Sequence, residues 1–409
     1  MLFFVRAKEW EKRKFVIDKA WSVPRNKLMS VVETNTFFKQ KRTAAEIKSE
    51  IVKAYFSKWC AQILTQLAPS PETILYVDLL AGNLVNEDNS LAEAGLILEQ
   101  IYRSQETEQN LNTIVKTFFY NASKAELEKL ATDLAQLPFR ENLENAPVIL
   151  NEPDQRTYLV ELLKERVPAL FITNPFFTLL AQELLAPAVQ SGNTDLLLVF
   201  SPNKMRGAWD SSQERNDLIV LLGEEITSLK EYAPKENSSR KKEQLVVDTL
   251  ISKLQENQYY PLFFKINLPG KDQTSHYLLF AARTKQAYFL MKEIIARYSD
   301  YQEDGVPLFS VNQKPQMPLL PGFFQYLSKY TFTNLLEALS SNRREFHYRT
   351  IQEIYEDHAV GTHFILTNYL QAFSELRQQG RINLVDAKNK QVKTISENAI
   401  VFYKLHGVK

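Results

Sequence analysis

Two short runs carry residue types that can do chemistry, Asn174-Pro175-Phe176-Phe177 and Asp78-Leu79-Leu80-Ala81-Gly82-Asn83. In the first, the Asn174 amide oxygen and the Pro175 carbonyl can accept hydrogen bonds from an exocyclic amine. That leaves the amine lone pair free for an electrophile, while an aromatic stacks on a base turned out of its helix. The plain alternative is that Asn-Pro ends a strand and the phenylalanines pack in the core. In the second run an apolar stretch leads into an acid and a small-residue turn, the way a Rossmann-like sheet begins its first ligand loop. Small residues let the backbone approach a ligand, and Asp78 can orient a cationic or hydroxyl-bearing group or cap the amides of its own loop. A dinucleotide fingerprint needs three spaced glycines, and this loop has Gly82 alone.

Further polar residues are weaker signals. Asn151, Glu152 and Asp154 follow a short strand, where an adenine amine could be read, but acids also gather at helix N-termini. His358 and His363 are five apart across a helix–turn junction, poor spacing for a metal, so no metal site is expected. Cys60 is the single cysteine, which excludes a disulfide framework and any cysteine-rich metal site. Beside Trp59 on an apolar helix face it reads as a buried thiol.

The chain that must position these groups has 409 residues, 44% of them hydrophobic, enough for two or three domains with a large core. Lys plus Arg is 49 and Asp plus Glu is 48, a balance that excludes a global attraction to nucleic acid but permits basic patches. The N-terminal apolar run is too short for a signal peptide or a membrane span, so a soluble, cytoplasmic protein is expected.

Helix and strand signals alternate from residue 45 to about 225. Ile47, Ile51, Tyr55, Trp59 and Ile63 recur every four residues on a helix over 45–67, with Lys48, Lys53 and Lys58 on other faces. Strands are expected at 74–80, 114–120, 147–150, 169–173 and 195–200. Helices are expected at 91–103, 123–136 (capped by Ser123), 155–165, 177–190 and near 213–222. This alternation predicts a parallel sheet covered on both faces. Residues 234–244 read as an exposed basic loop before a helix at 245–257. A hairpin of strands 260–267 and 275–283 turns at Pro269-Gly270, and a helix at 284–298 packs back. Gly and Pro crowd residues 305–322, a linker signature. Beyond it, helices at 323–340, 350–358 and 363–379, a stop at Gly380 and a hairpin turning over Asp386–Lys390 make a winged-helix pattern.

Four segments together resemble the three-Cys-motif partner proteins: FFKQKRTAAEIKSEIVKAYFSKW (37–59), YVDLLAGN (76–83), ITNPFF (172–177) and SHYLLFAARTKQAYFLMKEII (275–295). They are similar to that family's basic leader helix, its DLFAGPG loop, its DPFG segment, and the hairpin and helix that close its sheet. The resemblance implies an α/β fold, a Rossmann-like class I methyltransferase sheet with a helical leader and a C-terminal winged helix. It divides the chain into a leader at 1–70, a methyltransferase-like domain at 71–304, a linker at 305–322 and a winged-helix-like domain at 323–409. It further implies S-adenosylmethionine held by Asp78, Ala81, Gly82, Asn83, Asn121 and Glu152. By the amine chemistry above, and with Phe176 where amino-methyltransferases carry a second proline, Asn174, Pro175, Phe176 and Phe177 would serve amino-methyl transfer at a base. The chain departs from the pattern at the missing second glycine and at Asn121, where a ribose-binding acid is usual. It departs again at Asn174 in place of Asp and Phe177 in place of Gly. An amide holds ribose hydroxyls more weakly than a carboxylate.

Partners expected from these readings are nucleic acid and a three-Cys-motif protein. Thr367, Asn368, Gln371, Ser374 and Arg377 share the polar side of helix 363–379, and Lys388, Lys390 and Lys393 decorate the wing. A polar helix and basic wing suit phosphate and groove contacts, and equally a solvated face on a protein-binding module. Arg240, Lys241 and Lys242 form a second basic cluster, ordinarily a solvated loop, that in the architecture the resemblance implies borders the target side of the sheet. The alternative to an enzyme is a degenerate methyltransferase fold serving as a nucleic-acid or protein-binding scaffold in a phage-defence or mobile-element module.

Overall fold

The structure, a computed structural model, describes residues 36–67, 69–85, 91–176, 179–205, 225, 238–271, 273–313 and 329–404. The chain divides into Met1–Lys41 and Arg42–Lys409. The described part of the first unit is a 3-10 turn at Thr36–Lys39. Every other element belongs to the second. The expected helix at 213–222 and the linker residues 314–322 lie outside the described residues.

Eight strands form one sheet: β1 Ile74–Asp78, β2 Val115–Phe119, β3 Val148–Ile149, β4 Ala169–Thr173, β5 Thr194–Phe200, β6 Tyr260–Asn267, β7 Thr274–Ala282 and β8 Ser310–Val311. Their order is β3-β2-β1-β4-β5-β7-β6-β8. β1 to β5 are parallel, and β7 runs antiparallel to both β5 and β6. The chain therefore makes a mixed α/β fold on a large, mostly parallel sheet. The strand order reverses between β1 and β4, and open sheets of this kind form a crevice at the carboxyl ends of the strands there. β8 pairs with Lys265 and Ile266 of β6, so residues 305–313, breaker-rich in sequence, extend the sheet by one edge strand.

Helices cover both faces: α1 Ala44–Gln66, α2 Glu93–Arg103, α3 Lys124–Gln136, α4 Pro153–Lys164, α5 Leu179–Gln190, α6 Ser239–Glu256 and α7 Lys285–Ala296. The period-two alternation of strands sorts the core. Leu75, Val77, Phe171 and Leu198 pack with Leu159, Leu184 and Leu250 from α4, α5 and α6. Tyr76 turns the other way, edge-on to Phe56 of α1 at 5.3 Å. Ser123 caps α3 as its sequence predicts, accepting from the Glu126 amide. α6 begins earlier than expected. Ser238 caps it, so Lys241 and Lys242 sit in a helical first turn rather than in a loop. Burial of Val246, Val247, Leu250 and Leu254 stabilises that helix despite cations at its positive end.

Lys48 departs from its expected place off the apolar face: it is buried, with 8% of its surface exposed. α1 is fixed to the sheet by polar contacts as well as apolar ones. Asp195, buried at the start of β5, accepts from Trp59 Nε1 at 2.8 Å, the Arg283 amide at 2.7 Å and the Tyr55 hydroxyl at 3.5 Å. Arg283 stacks 3.7 Å from the Tyr259 ring centre and donates to the Asn257 and Val189 carbonyls. Burial pushes the Asp195 carboxyl up to about 6, against those donors.

C-terminal to the sheet come α8 Phe332–Ser341, β9 Arg349–Thr350, α9 Ile351–His358, α10 Leu366–Gln378, β10 Ile382–Val385 and β11 Ile400–Tyr403. The strands form a small antiparallel sheet in the order β10-β11-β9. α8 starts later than expected, at a Thr331 cap. Gly380 ends α10 with φ +70°, as a helix stop requires. The turn at Asp386–Lys390 is present, with the Asp386 carboxylate accepting the Lys388 and Lys390 amides. The main partner of β10 is β11 rather than the segment at Val392. This part packs on α7. The fully buried Lys292 ammonium donates to the Ala359 carbonyl at the end of α9, at 2.7 Å. Glu293 accepts from the Tyr355 hydroxyl at 2.7 Å and the Leu366 amide at 3.0 Å. No helix among the described residues is long and apolar enough to cross a membrane.

Asp195→Ala strands three donors in the core, so it should cost about 2–4 kcal/mol in urea unfolding. A loss within 0.5 kcal/mol, roughly the range of an ordinary surface substitution, would remove this carboxylate from the account of α1 docking.

Candidate functional site

The crevice is built from the loops that follow β1, β2, β3 and β4. Asp78 ends β1 with its side chain turned toward α1, and only 1% of it is exposed. Its Oδ1 accepts the Leu80 amide at 2.8 Å. Its Oδ2 lies 4.0 Å from Lys48 Nζ, which pairs more closely with Glu93 at 3.2 Å. Two carboxyls thus share one ammonium beneath the first loop. Burial drives both carboxyls upward, Glu93 to about 7, against the pull of Lys48. Burial opposes the charge on Lys48, but Asp78 and Glu93 together hold its pKa above the usual value.

The first loop is also tied sideways. The Tyr120 amide donates to the Asp78 carbonyl, and the Ala81 amide donates to the Tyr120 carbonyl at 3.0 Å. Asn121 Nδ2 donates to the Ala81 carbonyl at 2.8 Å, while Asn121 Oδ1 accepts the Ser123 amide at 2.8 Å. Gly82 is exposed, has no left-handed φ, and a Cβ there would meet nothing within 4 Å. The fold does not itself demand glycine at that position. Asn83 Oδ1 is buried and has no hydrogen-bond partner among the described residues.

After β4, Asn174 Oδ1 accepts the Phe176 amide at 2.9 Å. Phe176 is buried and meets Phe200 edge-on at 5.1 Å, inside the core rather than over an open crevice. Pro175 is buried beside it, and Phe177 lies outside the described residues. Glu152 stands exposed before α4, where the Gln155 side chain accepts its amide. The open space is a cleft of about 290 Å³ whose walls include Tyr120, Asn121, Lys124, Asn151, Arg156 and Leu180. It lies over the ends of β2 and β3. Of the residues expected at the crevice, Asn121 and Asn151 line it.

Sequence reasoning missed Lys48, Glu93 and Arg156. Lys48 had a legible signal, because it stands four, seven and eleven residues before Val52, Tyr55 and Trp59 on a widened apolar stripe. The basic residues of the C-terminal part lie elsewhere. Lys388, Lys390 and Lys393 are exposed at and just beyond the 386–390 turn. Arg377 is half-buried and donates to the Val392 carbonyl, bracing the turn against α10. Asn368, expected on the polar side of that helix, is buried and donates to the Gly305 carbonyl at 2.9 Å. Lys241 is exposed, and the side chain of Arg240 lies outside the described residues. His358 Nδ1 is 2.6 Å from the Tyr369 hydroxyl, and His363 packs on the Tyr330 ring at 4.7 Å. Burial holds the Cys60 thiol well above its usual range.

No family model and no curated protein matches the chain. Among solved structures, a Legionella pneumophila protein described by the family model DUF519 is similar at 10% identity. The match covers 63% of this chain and 94% of that one, with a TM-score of 0.33. A candidate O-methyltransferase from Klebsiella pneumoniae is similar at 12% identity, over 68% of this chain and 99% of that one, with a TM-score of 0.30. Likeness of this degree carries no functional assignment.

The Glu93 proton has a measurable consequence. With a folded pKa near 7 against 4.5 ordinarily, the native state keeps a proton that the unfolded chain releases. Stability should therefore fall as pH rises between those values. Glu93→Gln should flatten that fall and gain on the order of 1–3 kcal/mol at pH ~8 relative to the parent. Parallel stability–pH curves for the two proteins, from urea unfolding, would refute this.

Proposed function

We propose that the chain is a methyltransferase-like fold that no longer transfers methyl groups and serves as a nucleic-acid-binding scaffold. The observation that supports this is the commitment of the polar groups a cofactor and an amine would need. Asn121 spends both ends of its amide on the Ala81 carbonyl and the Ser123 amide. Asn174 spends its acceptor on the Phe176 amide. Asp78 is turned inward to Lys48. A sheet closed by an antiparallel hairpin, and three helices followed by a small hairpin, are what a winged-helix-bearing relative of the three-Cys-motif partner proteins would have. Such a protein would also take a three-Cys-motif protein as partner.

A second reading, S-adenosylmethionine-dependent amino-methyl transfer, draws on one observation. The cleft beside Tyr120, Asn121 and Asn151 is large enough for a purine-sized group. In that case Asn121 would hold the ribose, and Asn174 with Pro175 would orient the amine.

Calorimetry separates the two. Titration of S-adenosylmethionine, and of its demethylated product, should give no binding up to about 1 mM, a standard free energy weaker than roughly −4 kcal/mol. Micromolar binding would overturn the scaffold reading. Asn121→Asp should not restore affinity, because it loses the donor to Ala81; it should instead destabilise the fold by about 1–2 kcal/mol.

For the scaffold, the wing lysines Lys388, Lys390 and Lys393 would contact phosphates. On duplex, log affinity should fall by about 0.9 per log unit of salt for each phosphate neutralised, so the triple alanine variant should flatten the slope by roughly 2–3. An unchanged slope would exclude the wing from binding.

A further inference from the structure

Tyr348 is the most exposed large hydrophobic side chain among the described residues, at 59%. It holds φ at +68°, a region that bulky side chains rarely occupy and that costs free energy. Its amide donates to the Val401 carbonyl at 2.9 Å, which fixes the backbone there just before the edge strand β9. Burial of the ring does not offset that cost, because the ring points outward. It stands edge-on to Phe402 at 4.2 Å, with His347 5.6 Å from the same phenylalanine. His347 is itself held, its Nδ1 accepting the Tyr403 amide at 3.1 Å.

A groove of about 550 Å³ opens nearby, with Thr333, Ser340, Ser341, Arg343 and Arg381 among its walls and Glu337 as the one carboxylate in its lining. Burial raises the Tyr403 phenol, while the charges of Arg381 and Arg343 pull it down. Phe402 pairs with Asn383 and the Lys404 amide donates to the Arg381 carbonyl, so strand alternation puts Arg381 of the groove on the same sheet face as Phe402. Neither Arg343, Arg344 nor Arg381 is in an ion pair among the described residues.

We propose that this surface binds unpaired nucleotides of a single-stranded nucleic acid, with a base stacked on Tyr348 and the flanking phosphates on Arg343 and Arg381. Exposed rings beside cations and hydroxyls are the parts such binding needs, since every base has a face to stack and every linkage a charge. Duplex offers no open base face to Tyr348. The proposal rests on nucleic acid being the scaffold's partner, and its surface is separate from the wing lysines.

The test is fluorescence anisotropy of the full chain with a labelled oligo-dT and an oligo-U of roughly 12 nucleotides at low salt, a length within one stacking site. The parent should bind, and Tyr348→Ala should weaken binding about 5- to 100-fold. Tyr348→Phe should keep most of the affinity. Tyr348→Gly suits the left-handed backbone, so it should fold at least as stably as the parent and still bind as weakly as the alanine variant. Arg343→Ala and Arg381→Ala should each flatten the salt slope by about 0.7 on single strands. Full affinity in both Tyr348→Ala and Tyr348→Gly would overturn the proposal. If affinity instead falls only in the triple wing-lysine variant, the nucleic-acid reading stands and this surface does not. No binding by the parent to single strands overturns the surface, and no binding to duplex either would overturn the partner as well.

Discussion

The two carboxyls and one ammonium beneath the first loop constrain much of this molecule. Asp78 is the last residue of β1, and strand alternation sends its side chain to the face that α1 covers. A carboxylate taken out of water there must find a counter-charge or a proton. Lys48 supplies the charge from α1, and Glu93 supplies a second carboxyl from α2. The three groups make α1 part of the sheet's own polar interior. They also set the path of the loop, because the other Asp78 oxygen is held by the Leu80 amide.

That path carries the next consequence. An open sheet with its order reversing between β1 and β4 presents its crevice where these loops part. Here the first and second loops are sewn together by the Ala81–Tyr120 backbone bond and the Asn121 amide. The space that stays open is displaced toward β2 and β3, between Lys124, Asn151 and Arg156. The aromatic after Asn174 is drawn into the core by Phe200. Local hydrogen bonds and packing thus take up groups that a ligand would otherwise use.

The C-terminal part shows the same economy of polar groups. Lys292 and Glu293 on α7 spend their hydrogen bonds on the ends of α9 and α10, and Asn368 spends its own on the Gly305 carbonyl. These contacts narrow the polar face of α10, while the 386–390 turn and the β9 edge face outward. On that edge Tyr348 is held outward at positive φ, whereas Phe309, the other aromatic at positive φ among the described residues, is buried.

Much of the architecture was legible in the chain. The apolar runs at 74–77, 169–172 and 196–200 are buried-strand sequences, and the four-residue rhythm of Ile47, Ile51, Tyr55 and Trp59 is a helix face; local chemistry suffices for both. Ser123 and Gly380 announced a helix start and a helix stop for equally local reasons. Partnership was not legible, because it depends on groups far apart in sequence meeting at a few ångströms. Asp195 and Trp59 are 136 positions apart, and Lys292 and Ala359 are 67 apart. The short β8 was hidden because two strand residues among prolines carry no periodicity, and β6 alone gives them a ladder. Sequence alone determined that strands and helices alternate and which faces are apolar, since those follow from each residue's own hydration and backbone preference. Only the tertiary structure decided which polar residues are committed inward and which, like Tyr348 and Lys388, stay exposed, because a hydrogen-bonding group is committed by its neighbours in space.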